Sequence, residues 1–131
     1  MKASELRIGN FIHGIADDED GEEKEILVKV VALDSVDLTE HSIWVTPVDP
    51  KESQEEYYHD MEPIPLTEEW LLRLGYTPCS FVDNNYIIKG HVIWKCNESF
   101  LCDKNGVVIK YVHQLQNLYY AITGEELKLK K

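Results

Sequence analysis

The stretch Tyr111–Gly124, YVHQLQNLYYAITG, decides how the rest of the chain is read. At about 100° per residue, Tyr111, Val112, Leu115, Leu118, Tyr119 and Ile122 fall on one side of a helix. His113, Gln116, Asn117 and Tyr120 fall on the other. Gly124 follows the last periodic residue, where a left-handed position ends a helix without steric cost only for glycine. No Asp, Glu, Lys or Arg occurs in this stretch, in a chain that is 28% charged. A solvated helix face normally carries charge, so the neutral stripe His113, Gln116, Asn117 and Tyr120 has two readings. Either it packs internally with its hydrogen bonds satisfied, as buried polar groups commonly are, or it is a contact surface for another chain.

Working outward, Asn105-Gly106 just upstream is the strongest hairpin signal in the sequence, with arms at Phe100–Lys104 and Val107–Lys110. Before it, Tyr86–Lys89 and His91–Cys96 read as strands bounded by turns at Asp83–Asn85 and Asn97–Ser99, together a β-meander. Glu62–Tyr76, EPIPLTEEWLLRLGY, is a second helix signal. Thr67 can cap it, Glu68 and Glu69 suit its first turn, Leu66 can staple onto Leu71, and Gly75 stops it. A helix this short is unstable alone, so Trp70, Leu71 and Leu74 must dock on a sheet. Beyond Gly124, Glu125–Leu129 is a short strand or an ordered tail.

At the other end, Glu5–Ile15 reads as a strand bent at Gly9-Asn10. Ile26–Leu33 is β-branched and pairs with Ser42–Val45 across an Asp34–His41 connection. Such short strands suggest a small SH3-like barrel. Pro47 and Pro50 break the pattern, and Asp49–Asp60 is a polar loop whose Tyr57, Tyr58 and His59 cap a local cluster. Ala16–Glu25 carries seven acidic residues and one lysine, the composition of a solvated loop. It is not a calcium loop: with Gly21 at the sixth position, Ala16 and Leu27 fall where oxygen ligands are required.

The chain is therefore α+β and mainly antiparallel β, with an N-terminal curled sheet, a C-terminal meander and two short helices near 67–74 and 111–123. Its 131 residues suit a single domain, or two lobes at 1–62 and 63–131, large enough to fold without staples. No apolar run reaches the roughly 20 residues of a membrane span, and the N-terminus lacks an apolar export segment. A cytoplasmic location is expected. The odd count of cysteines, Cys79, Cys96 and Cys102, fits reduced thiols there.

Chemistry is sparse. His91, Cys96, Cys102 and His113 lack the close pairs that zinc ligands form, so no metal or cofactor is expected. There is no serine elbow and no phosphate loop. A net charge of -11 argues against gripping nucleic-acid phosphates, which needs clustered Lys and Arg.

The segments ELRIGN (Glu5–Asn10), PIPLTEEWLL (Pro63–Leu72) and YVHQLQNLYYAITGEEL (Tyr111–Leu127) resemble landmarks that a family of small bacterial and prophage-encoded proteins shares in the same order. The resemblance spans nearly the whole length. It implies an accessory role in a mobile element, with no catalytic residue or ligand attached. The residues and the resemblance together favour a non-enzymatic protein that binds another protein or itself through His113, Gln116, Asn117 and Tyr120, since neutral polar and aromatic groups suit interface cores. The alternative is an acidic DNA mimic that occupies a host nucleic-acid-binding protein. A third reading is an enzyme whose cleft assembles His91, His113 and Tyr120 against a carboxylate.

Overall fold

A computed structural model describes residues 5–33, 43–49, 51, 58–81, 83–96, 99–102 and 106–130, with the backbone alone at 101 and 102. The fold is α+β, with two antiparallel sheets and two helices. Two compact units divide the chain, Met1–Ile64 and Pro65–Lys131. The Asp34–His41 connection, together with Tyr57, Asn97, Glu98 and Asn105, lies outside the described residues. Among the described residues no helix is long and apolar enough to cross a membrane.

In the first unit, β1 (Phe11–Asp17), β2 (Glu23–Leu33), β3 (Ile43–Pro47) and β4 (Asp60–Glu62) form a sheet in the order β3-β2-β1-β4. This is a Greek-key order: three consecutive strands, then a fourth that returns beside the first. The expected barrel is instead an open sheet, with β3 and β4 as its two edges. Pro47 is the last residue of β3, and an edge strand tolerates a residue that cannot donate to the ladder.

One face of this sheet holds the core. Ile12, Ala16, Ile26, Val28, Val30 and Ile43 pack together with Leu6, and Tyr58 and Met61 lean on the cluster. Gly14 makes room for that tyrosine: a Cβ built there would lie 2.6 Å from the Tyr58 ring. The opening strand begins later than its sequence suggests. Glu5–Asn10 is an irregular entry in which Asn10, fully buried, accepts the Arg7 N–H at 2.6 Å through its side chain, and Gly9 donates to the Val30 carbonyl.

Half of the acidic stretch Ala16–Glu25 is strand rather than loop, belonging to β1 and β2. Only Asp18–Glu22 turns, and Asp18 organises it: its carboxylate accepts the N–H groups of Asp20 and Glu22, both at 2.9 Å. Its carbonyl accepts the Gly21 N–H.

In the second unit, β5 (Thr77–Pro78), β6 (Asn85–Ile88), β7 (His91–Cys96), β8 (Ser99–Cys102) and β9 (Val108–Ile109) form a meander in sequence order. Tyr86, Ile93, Phe100 and Ile109 are all buried, and the register places them on one face. The Tyr86 and Phe100 rings meet edge to face at 6.4 Å.

Helix α1 (Glu68–Arg73) starts as expected, with the Trp70 N–H donating to the Thr67 hydroxyl at 3.3 Å. It closes in a Schellman arrangement, Tyr76 N–H to the Leu71 carbonyl and Gly75 N–H to that of Leu72. Trp70, Leu71 and Leu74 are buried. Arg73 covers the Trp70 ring at 4.2 Å, a cation–π contact.

Helix α2 (Val112–Thr123) ends at left-handed Gly124, φ 74°, whose N–H donates to the Tyr120 carbonyl. Its start relies on Gln114, whose side-chain oxygen accepts the N–H groups of Lys110 and Tyr111 at 2.9 and 3.1 Å. The residues after it form an ordered tail rather than a strand. Leu127 is buried there, and the Lys130 N–H reaches the Arg73 carbonyl.

Candidate functional site

The neutral stripe of α2 does not form a single surface. Val112, His113, Leu115, Gln116 and Tyr119 are the buried residues of the helix. His113 and Gln116 are therefore interior, Asn117 is half-buried, and Tyr120 is 43% exposed. Ile122, expected inside, is 39% exposed. The buried stripe has rotated toward the polar side. His113 also stacks flat on Tyr111, centroids 5.8 Å apart and planes within 9°.

The residues of the enzyme reading are held by different partners. His91 meets Tyr119 edge-on at 5.8 Å, whereas His113 lies on Tyr111.

Two sheet faces stand out instead. In the second unit the register Asn85↔Trp94, Trp94↔Leu101 and Leu101↔Val108 sets one cross-strand row on the face opposite the buried aromatics. Ile87 and Val92 pair on the same face. Trp94 is 44% and Val108 49% exposed, while Ile87 and Val92 are half-buried. The solvent side of an antiparallel sheet normally alternates to polar residues, so this face is apolar where charge is expected. The signal was present in the sequence: Val92-Ile93-Trp94 and Val107-Val108-Ile109 are unbroken apolar runs, which serve both faces of a strand.

In the first unit the corresponding face is acidic toward its Asp17 end, whereas its other end holds buried Phe11 opposite Lys29. Asp17 lies opposite Glu23, and Ile15 opposite both Glu25 and Asp60, with Glu62 opposite His13. Five carboxylates thus share one face. Two imidazoles stand among them: His59 Nε2 is 3.4 Å from Asp17 and 3.8 Å from Glu23, and His13 Nδ1 is 3.4 Å from Glu25.

Among the described residues, one titration is strongly perturbed. Burial, helped by a hydrogen bond to the Glu68 carboxylate, pushes the Tyr86 hydroxyl up to about 12. That bond ties β6 to the first turn of α1. Cys96 is an exposed thiol and Cys79 a half-buried one.

Compared with protein-family models, curated proteins and solved structures, the chain matches none.

Proposed function

We propose that the chain is a non-enzymatic binding protein that docks another protein on the outer face of its second sheet. The observation that supports this reading is the exposed row of Trp94 and Val108, flanked by Ile87 and Val92. Contiguous exposed apolar surface marks interaction sites, and tryptophan is prominent among contact hot spots. Tyr120, exposed on α2, keeps a place in the contact surface expected of that helix. The partner is a protein whose apolar patch is set among basic residues. A net charge of -11 disfavours a second copy of the chain and steers positive surfaces toward it. A cytoplasmic location suits the exposed Cys96 thiol, and an accessory role in a mobile element suits a small binder.

The test is capture on immobilised protein at low and high salt. Retention of a basic protein that survives high salt, is lost with Trp94→Glu and persists with the same change at Trp44, the 64% exposed tryptophan of β3, supports the reading. Retention indifferent to Trp94→Glu overturns it. So does a dimer in sedimentation that Trp94→Glu dissolves, since the occupant would then be a second copy.

A second reading, the acidic mimic, gains from the first unit. A mimic needs its charges ordered on a surface, and Asp17, Glu23, Glu25, Asp60 and Glu62 stand in strand register on one face. Capture of DNA-binding proteins that salt releases, and that Glu23→Lys with Glu62→Lys abolishes, distinguishes it.

A further inference from the structure

The second unit contains a half-open groove of about 660 Å³, within the range of small-molecule sites. Leu74, Ile88, Tyr119 and Leu127 give it an apolar floor. Its rim carries two cations, Lys89 and Lys128, and two anions, Glu125 and Glu126. In a chain of net charge -11, this rim is balanced.

Its rim is a turn and a tail joined by an exposed ion pair, with the two side chains 68% and 61% accessible. Lys89 and Gly90 form the two-residue turn between β6 and β7, both with positive φ, 46° and 83°. Asn, Asp or Gly usually fills the first of these positions, and a lysine there adopts a conformation that side chains disfavour. Its ammonium reaches Glu125 Oε2 at 3.0 Å, and that bond raises its pKa. Glu125 is held in turn by its own N–H, which donates to the Thr123 hydroxyl at 3.0 Å, while that hydroxyl donates to the Tyr119 carbonyl at 2.8 Å. The far end of the tail is tied by Lys130 N–H to Arg73.

A simple anion entering this groove meets Glu125 and Glu126, and a simple cation meets Lys89 and Lys128. A molecule carrying both charges beside an apolar side chain finds a partner for each. We propose that the groove binds a zwitterion with an apolar side chain, a free α-amino acid or a short peptide, which inserts its carboxylate at Lys89 and its ammonium at Glu125 and so replaces the ion pair between them. The inference is independent of the sheet face, which lies on other residues.

The experiment is calorimetric and NMR titration of the full chain with four probes: phenylalanine, the dipeptide Leu-Phe, N-acetylphenylalanine and phenylalanine amide. Binding of phenylalanine or Leu-Phe is expected, with shifts at Tyr119 and Leu127. The better of the two identifies the source as an amino acid or a peptide. Removing either ligand charge should weaken binding about tenfold, as loss of a charge-assisted hydrogen bond does. Lys89→Gly separates binding from folding: it relieves the left-handed position and should raise the melting temperature while weakening binding by a similar factor. Absence of heat and shifts with all four probes up to about 10 mM overturns the proposal. So does equal binding of the charged and blocked probes, or unaltered binding by Lys89→Gly.

Discussion

Both sheets of the protein are antiparallel and both bury one face in aliphatic or aromatic side chains, yet the exposed residues of their opposite faces differ in kind. On the first, Asp17, Glu23, Glu25, Asp60 and Glu62 stand in register around His13 and Ile15. On the second, the same positions of the pleat hold Trp94, Val108, Ile87 and Val92. A carboxylate face is hydrated and kept apart from its own kind by charge. An apolar face gains by being covered, at roughly 25 cal/mol per Å² removed from water. The contrast shows that alternation alone does not set a sheet's outward chemistry. On the proposed reading the first surface steers a partner and the second holds it.

The comparison breaks most readily at the inner side of the second sheet. Ile93, 3% exposed, should lose about 2–5 kcal/mol on truncation to alanine, the usual range for a buried isoleucine. Trp94→Ala on the opposite face should lose about 1 kcal/mol or less. Urea unfolding measures both, and equal losses would show that the Trp94 face is internal. In the first unit the sharpest steric test is Gly14→Ala, whose methyl would meet the Tyr58 ring at 2.6 Å. Overpacking of this kind costs about 1–3 kcal/mol, and Tyr58→Ala in the same chain should recover part of it.

The third outcome depends on pH. The folded Tyr86 hydroxyl is pushed up to about 12, above the value near 10 of an unfolded tyrosine. Between those values the unfolded chain gives up its proton while the folded chain retains it. The stabilising contribution is intact below about pH 10 and should fall as pH rises toward 12, by about 1.4 kcal/mol per unit. Tyr86→Phe removes that slope, which denaturant midpoints across the window can follow. The smallest effect belongs to the acidic face. Glu23→Lys replaces the like-charge pair with Asp17 by an opposite one and should gain about 0.2–1 kcal/mol, a gain that salt reduces.

Legibility followed the kind of signal each element carries. Thr67, Gly75 and Gly124 declared the helix ends because capping is a local matter of side-chain reach and backbone hand. The meander was readable from its turns. Strands β4 and β5, three and two residues long, are too short for a period and follow from pairing alone. Pro47 read as a breaker because sequence does not say which strand is an edge. The acidic stretch read as loop because composition reports solvation, and exposed strands are solvated too. The rotation of α2 carries His113 and Gln116 into the interior, which periodicity cannot foresee. Gln114 was a legible cap, three residues after Tyr111 where a capping glutamine reaches back. The apolar run Val92-Ile93-Trp94 was equally legible as a strand with two apolar faces.

The outer face of the second sheet is best tested by the double variant Trp94→Glu, Val108→Lys, with melting temperature and retention of the captured partner measured on one preparation. Melting within a few degrees of the parent together with lost retention is the expected result. A collapse of the melting temperature, or a partner still held, would contradict the assignment of that face as the contact surface.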